Sequence, residues 1–231
     1  MFPSLRSRPA PWSAIPVSDR PSSATGAAPS GTPHETPTRA AVPVQVIVGL
    51  GNPGARYEGT RHNIGFDAVV SLLGDRSIRS RHFDGGLFVE TEIAGREVGL
   101  LRPMGYMNRS GGPVRRLLQS EGLTPPETLI VCDDYALPLG TIRTRRRGSD
   151  GGHNGLASIL SALGTDEVPR MRLGIGPPPA GEDPADFVLS HFASQEAAPV
   201  EDLLERAARA IETAVGQGIE TAMNRFNRAA A

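Results

Sequence analysis

The sequence has a single cysteine, Cys132, which excludes an internal disulfide framework and fits a reducing compartment. No apolar run approaches the length needed to cross a bilayer as a helix. No Gly-x-Ser-x-Gly elbow is present; Arg147-Gly148-Ser149-Asp150-Gly151 lacks the first glycine. No P-loop lysine is present either. The five histidines, His34, His62, His82, His153 and His191, show no metal-ligand spacing with each other or with Cys132, so no metal is expected. Membrane-spanning, disulfide-stapled, P-loop and serine-hydrolase classes therefore drop out.

What remains is a chain of 231 residues with room for one α/β domain of ordinary size. The net charge of -1 conceals an uneven distribution. Arg143, Arg145, Arg146 and Arg147 crowd one segment, whereas the charges from Glu182 to Glu205 are all acidic. A positive stripe can hold a polyanion on a near-neutral chain, although a solvated basic strand is the plainer reading. Residues 1–43 are rich in Pro, Ser, Ala, Thr and Gly and lack an apolar period. Such a segment cannot bury enough surface to offset chain entropy, and it is expected to be disordered. Its arginines and serines also fit an organellar transit peptide, against which its prolines argue.

The folded part is expected over 44–231, as an α/β single domain with a twisted mixed β-sheet flanked by helices. Val44, Val46 and Val48 alternate with Gln45 and Ile47 in a strand closed by Gly and Pro. Asn63 is placed to cap a helix with Phe66, Val69, Val70 and Leu73 inward. Leu87 to Ile93, the turn Ala94-Gly95 and Glu97 to Leu101 read as a hairpin. A helix follows Ser110 and ends at Gly122. Leu129 to Cys132, Thr141 to Arg145 and Met171 to Ile175 read as strands. Asn154 is placed to cap a helix ending before Gly164, and residues 200–215 carry a long amphipathic period. A hairpin among strand–helix alternations predicts a mixed sheet.

The most informative stretch is VQVIVGLGNPGARYEGTRHN, residues 44–63. It places an asparagine amide and an imidazole after the same strand, and strand ends are where α/β sheets bind ligands. Gly49, Gly51 and Gly54 also spell G-x-G-x-x-G. A dinucleotide site needs its helix to open within that run, and here no helical period begins before Asn63. The nucleotide reading is rejected on that ground.

GLGNPG with TRHN, YMNRSG, the Asp-Asp of VCDDYALPLG, GGHNG, and PRMRLGIG with DFVLSHF occur in this order from Val44 onward. Together they resemble the bacterial peptidyl-tRNA hydrolases. The resemblance implies cleavage of the ester between a peptide and the terminal ribose of tRNA. It also implies a monomer that needs no cofactor; with no metal and no membrane expected from the sequence, the chain is expected to be cytoplasmic, or organellar if residues 1–43 act as a transit peptide. An inactive, RNA-binding or splicing relative is the alternative, and the complete residue set argues against it. The chain departs from the family pattern at Cys132, Ala136, Met104-Gly105 and Asp150, which neighbour the set without belonging to it.

The resemblance makes His62 the general base, since an imidazole can take a proton from attacking water. It selects Asp133 over its neighbour Asp134 as the carboxylate that fixes the imidazole tautomer. It places Asn52 beside His62, where its amide helps distinguish a blocked peptide from a free aminoacyl group. It gives Asn108 and Asn154 to the substrate near the scissile ester, and Tyr57 and Tyr106 to the tRNA end. Arg143 and Arg145, which strand alternation puts on one face, are phosphate candidates with Arg170 and Arg172.

Overall fold

The computed structural model describes residues 42–81 and 83–227. The expectation of disorder over 1–43 therefore falls, for residues 1–41, outside the described residues. Seven strands form one sheet in the order β2-β3-β4-β1-β5-β7-β6. They are β1 (Val46–Gly49), β2 (Ile78–Arg81), β3 (Gly86–Ile93), β4 (Arg96–Pro103), β5 (Thr128–Asp134), β6 (Ile142–Arg145) and β7 (Arg170–Gly174). The centre is parallel, with β1 between β4 and β5 and β7 beside β5. Both flanks are antiparallel: β2 and β3 beyond β4, and β6 beyond β7. The mixed sheet is thus as the sequence predicts.

Parallel strands are covered on both faces, so β1 reads as an unbroken apolar run that is buried throughout. Its alternate residues serve two cores. Ile47 joins Val131 and Leu173 under α1 (Ile64–Leu73) and α5 (Ala197–Gln217), with α6 (Ile219–Phe226) alongside. Val46 and Val48 join Ile130 and Cys132 under α2 (Gly111–Glu121) and α3 (Asn154–Leu163). Each fully buried aliphatic side chain contributes about 1.5–3 kcal/mol. A sixth helix, α4 (Pro184–Leu189), lies over the carboxyl end of the sheet rather than on a face.

Helix α1 crosses its strands at close range. A Cβ on Gly65 would lie 2.4 Å from the Val131 carbonyl oxygen and 2.7 Å from that of Leu50. The hairpin turn uses left-handed backbone at Ala94 and Gly95, φ 52° and 74°, as a tight two-residue turn requires.

Two capping expectations are corrected. Asn63 occupies the N-cap position of α1, but its side chain makes no cap bond there. Asn154 is the first residue of α3, and the cap is His153, whose side chain accepts from two backbone N–H groups. The preference for Asn at such sites picked the wrong neighbour because His is an uncommon cap. The sequence reading also missed β2, α4 and α6, all short, and ended β5 before Asp133 and Asp134.

Candidate active site

The segments following β1, β4 and β5 converge with the N-terminus of α3 at the carboxyl end of the parallel strands. They enclose a cavity of 540 Å³ lined by Asn52, His62, Tyr106, Asn108, Asp133, His153 and Asn154, with one wall from α4. β1 is the place where the chain leaves the sheet on opposite faces, toward α1 from β1 and toward α2 from β4. Such a switch point opens a crevice between strand ends.

His62 sits in a 3₁₀ turn, Arg61–Asn63, that leads into α1. The turn is wound too tightly to continue the strand, and it aims the imidazole back at the end of β5. His62 Nδ1 lies 2.8 Å from Asp133 Oδ1, and both residues are buried. Burial alone would raise the pKa of the Asp133 carboxyl. The imidazoles of His153 and His62 outweigh it and hold the group well below the usual carboxylate range. An ionised acceptor places the His62 proton on Nδ1 and leaves Nε2 with a free lone pair. Cys132, next in the strand, has its thiol pushed far up by burial, so it takes no part as a thiolate.

The same Asp133 oxygen receives a second imidazole. His153 Nε2 is 3.0 Å from Oδ1, and the two rings stand 5.1 Å apart at a tilt of 47°. The ligand atoms of His62, Asp133 and His153 lie within 4.8 Å of one another, a grouping of metal-binding residue types that sequence spacing did not reveal. The donor chemistry favours a hydrogen-bond relay over an ion. His153 Nδ1 accepts from Gly155 and Leu156, so Nε2 carries the proton and lacks the lone pair a metal would need.

Asn52 is fixed on every side. Its backbone N–H donates to Asn63 Oδ1 at 2.7 Å, and its carbonyl accepts from Asn63 Nδ2 at 3.0 Å. The Asn63 amide thus works as a clamp for the loop, which is why it is not free to cap α1. Asn52 Oδ1 accepts the Met107 N–H at 2.8 Å. With its oxygen engaged, the NH₂ is the face left for a ligand.

Arg61 ties the turn carrying His62 to the α4 wall. Its guanidinium donates to both Glu196 oxygens and to the Ile175 carbonyl, and it lies over the rings of Phe187 and Phe192. Its N–H bonds the Ser190 carbonyl, and Thr60 bridges to His191. The turn and the wall are therefore tied together at several points.

Arg170 and Arg172, the other two phosphate candidates, are engaged within the protein, and Arg172 also lines the cavity. Because β6 runs antiparallel to β7, residues 146–153 must climb back across the sheet to start α3 at the carboxyl end. Arg170, buried, donates to the Gly148 and Ser149 carbonyls, and Arg172 to those of Ser149 and Asp150 and to the Asp134 carboxylate. These two side chains peg the climbing loop. Arg143 and Arg145 lie on one exposed face of β6, as alternation predicts, and make no ion pair among the described residues. They do not line the cavity, and neither does Tyr57, which bonds Arg56 instead.

Asn52, His62, Asp133, Tyr106, Asn108 and Asn154 are thus brought together as the sequence reading expects. It missed His153, although that residue lies inside the GGHNG motif next to Asn154. It also missed Tyr135, which is 36% exposed at the rim beside Asp134, and the apolar surface of Val188 and Leu189.

A sequence model described as peptidyl-tRNA hydrolase matches residues 46–231. Peptidyl-tRNA hydrolase of Nocardia farcinica is 44% identical over 185 residues, 79% of this chain and 95% of that protein. The Chloroflexus aggregans protein of the same name is 46% identical over 184 residues, 79% of this chain and 98% of its own. The crystal structure of peptidyl-tRNA hydrolase from Acinetobacter baumannii superposes with a TM-score of 0.76 at 34% identity, covering 81% of this chain and 96% of that one. Matches of this extent, over a cavity holding the expected residues, place the chain in the peptidyl-tRNA hydrolase family.

Proposed function

We propose that the domain of residues 44–231 hydrolyses the ester between a peptide and the 3′-terminal ribose of tRNA, using water activated by His62. The observation that carries this reading is the bond from His62 Nδ1 to the buried Asp133 carboxylate, inside a cavity that also holds the Asn52 amide. His62 Nε2 takes a proton as the water oxygen attacks the acyl carbon. The Asn52 NH₂ is the donor available to the negative oxygen that develops. Collapse breaks the bond to the ribose oxygen, which takes the proton back from the imidazolium. Direct attack by water suits a cavity without a serine elbow. Asn108 and Asn154, both exposed at the cavity, hold the acylated nucleotide, and Tyr106, 52% exposed, offers it a ring.

Arg143 and Arg145 extend the surface toward the tRNA backbone, a contact that accepts many sequences. Tyr57, outside the cavity lining, is read as a further contact for the tRNA end. The steps above use no redox or Lewis-acid chemistry, and we read the protein as a cytoplasmic monomer working without metal or cofactor. No helix among the described residues is long and apolar enough to cross a membrane. The alternative of an inactive RNA-binding relative has no observation in its favour, since the dyad is assembled.

Hydrolysis of an N-blocked aminoacyl-tRNA against its unblocked form tests the reading. Preference for the blocked substrate is expected. Equal rates, or binding without release of the acyl group, would overturn it.

A further inference from the structure

Asp133 Oδ1 has two imidazole partners, and the reaction as read above uses only one. His62 approaches at 2.8 Å and His153 at 3.0 Å. The second partner is buried, and its ring is held at both nitrogens. On one side, Nδ1 accepts the N–H groups of Gly155 at 3.1 Å and Leu156 at 3.2 Å, the first free donors of α3. On the other, Nε2 meets the carboxylate. A nitrogen that accepts two N–H bonds has no proton of its own. The helix end thus fixes the tautomer of His153 and makes Nε2–H a donor of set direction.

The carboxylate needs such a reference. Rotation about the last bond of an aspartate is broad and roughly two-fold, so one hydrogen bond does not fix which oxygen faces a partner. Other charged groups nearby do not supply the restraint. Arg172 pairs with Asp134 at 3.1 Å, and Arg170 is occupied by backbone carbonyls. Among the described residues neither cation forms an ion pair with Asp133, and Cys132 points to the α2–α3 core.

We propose that His153 is a positioning residue for the hydrolytic reaction: its helix-fixed Nε2–H orients the Asp133 carboxylate, which in turn holds the His62 proton on Nδ1. The proposal rests on the reading of His62 as base, and it adds a rigid element to that reading. The frame of reference for the base is the N-terminus of α3, through two hydrogen bonds in series. The same α3 turn presents Asn154 to the cavity, so acyl-group binding and base alignment share one anchor.

The variant His153→Asn separates positioning from capping. Asparagine is a favoured N-cap, so the helix end keeps an acceptor, while the shorter side chain no longer reaches Asp133. With melting temperature near wild type, kcat on N-acetylaminoacyl-tRNA is expected to fall about 10–100-fold at unchanged KM, by analogy with the cost of removing a group that orients a metal-binding histidine. The ¹⁵N NMR spectrum of His62 is expected to change from pure Nδ1–H to a mixture with Nε2–H. A folded variant with wild-type kcat and a pure Nδ1–H signal would overturn the proposal.

If the variant fails to fold, the wild-type spectrum decides. His153 must show a bare Nδ1 and a protonated Nε2, and the reverse pattern would overturn the proposal. The tautomer signals are read without substrate. A failure of His62 as base would therefore leave them intact and be seen only in turnover.

Discussion

At the scale of single residues, the site is an exercise in proton placement. Asp133 stays ionised although buried, because two imidazoles give it hydrogen bonds that water would otherwise supply. Replacing it by Asn keeps the volume and removes the charge. The amide can present its NH₂ to His62 and force the wrong tautomer. Asp133→Asn is expected to lower kcat by about 10²–10⁴-fold with little change in KM, as measured by release of N-acetylamino acid from tRNA. A variant within a few-fold of wild type would contradict the role. His62, Asp133 and Asn52 were legible in the sequence, by resemblance, because each sits in a short motif at a strand end. Asn63 and His153 were less so. Both lie beside a helix start, where propensity suggests local bonds. Their actual partners, Asn52 and Asp133, are 11 and 20 residues away along the chain. Long-range partners leave no trace in local propensity.

At the scale of elements, the site depends on how closely α1 approaches the strands that end in it. Gly65 faces the backbone of both Leu50 and Val131, which lie just ahead of Asn52 and Asp133. Backbone cannot move aside as a side-chain tip can. Gly65→Ala is expected to destabilise the protein by about 1–3 kcal/mol, read by urea unfolding. Activity should drop with it, because the two strand ends would be pushed apart. Unchanged stability would show that the contact is looser than described. The long elements were legible through their periods: the β1 run, the hairpin, α2, α3 and α5. Short β2, α4 and α6 carry too few residues for a period to register. The partners of the arginines on β7 were not legible because they are carbonyls of a loop, created only when β6 turns antiparallel and the chain must climb back.

At the scale of the whole molecule, the charge pattern matters more than its sum of -1. Within the arginine run, Arg146 pairs with Glu220 and Arg147 lies near Glu167, whereas Arg143 and Arg145 are exposed on one face. These two, unpaired among the described residues, are the ones available to displace counterions from a phosphate backbone. Arg143→Ala with Arg145→Ala is expected to weaken tRNA binding and flatten the slope of log affinity against log salt by up to about 2. An unchanged slope would remove them from the RNA path. The mixed sheet and the placement of the site at its carboxyl end were both readable in advance. They follow from strand–helix alternation and from where motifs fall relative to strands.

Hydrolysis as proposed turns on His62 as the base that activates water. The most direct measurement is the turnover of N-acetylaminoacyl-tRNA by His62→Ala, with its fold checked by circular dichroism and melting. A loss of about 10²–10⁴-fold in a folded protein that still binds tRNA is predicted. Turnover near wild type in that protein would contradict the account.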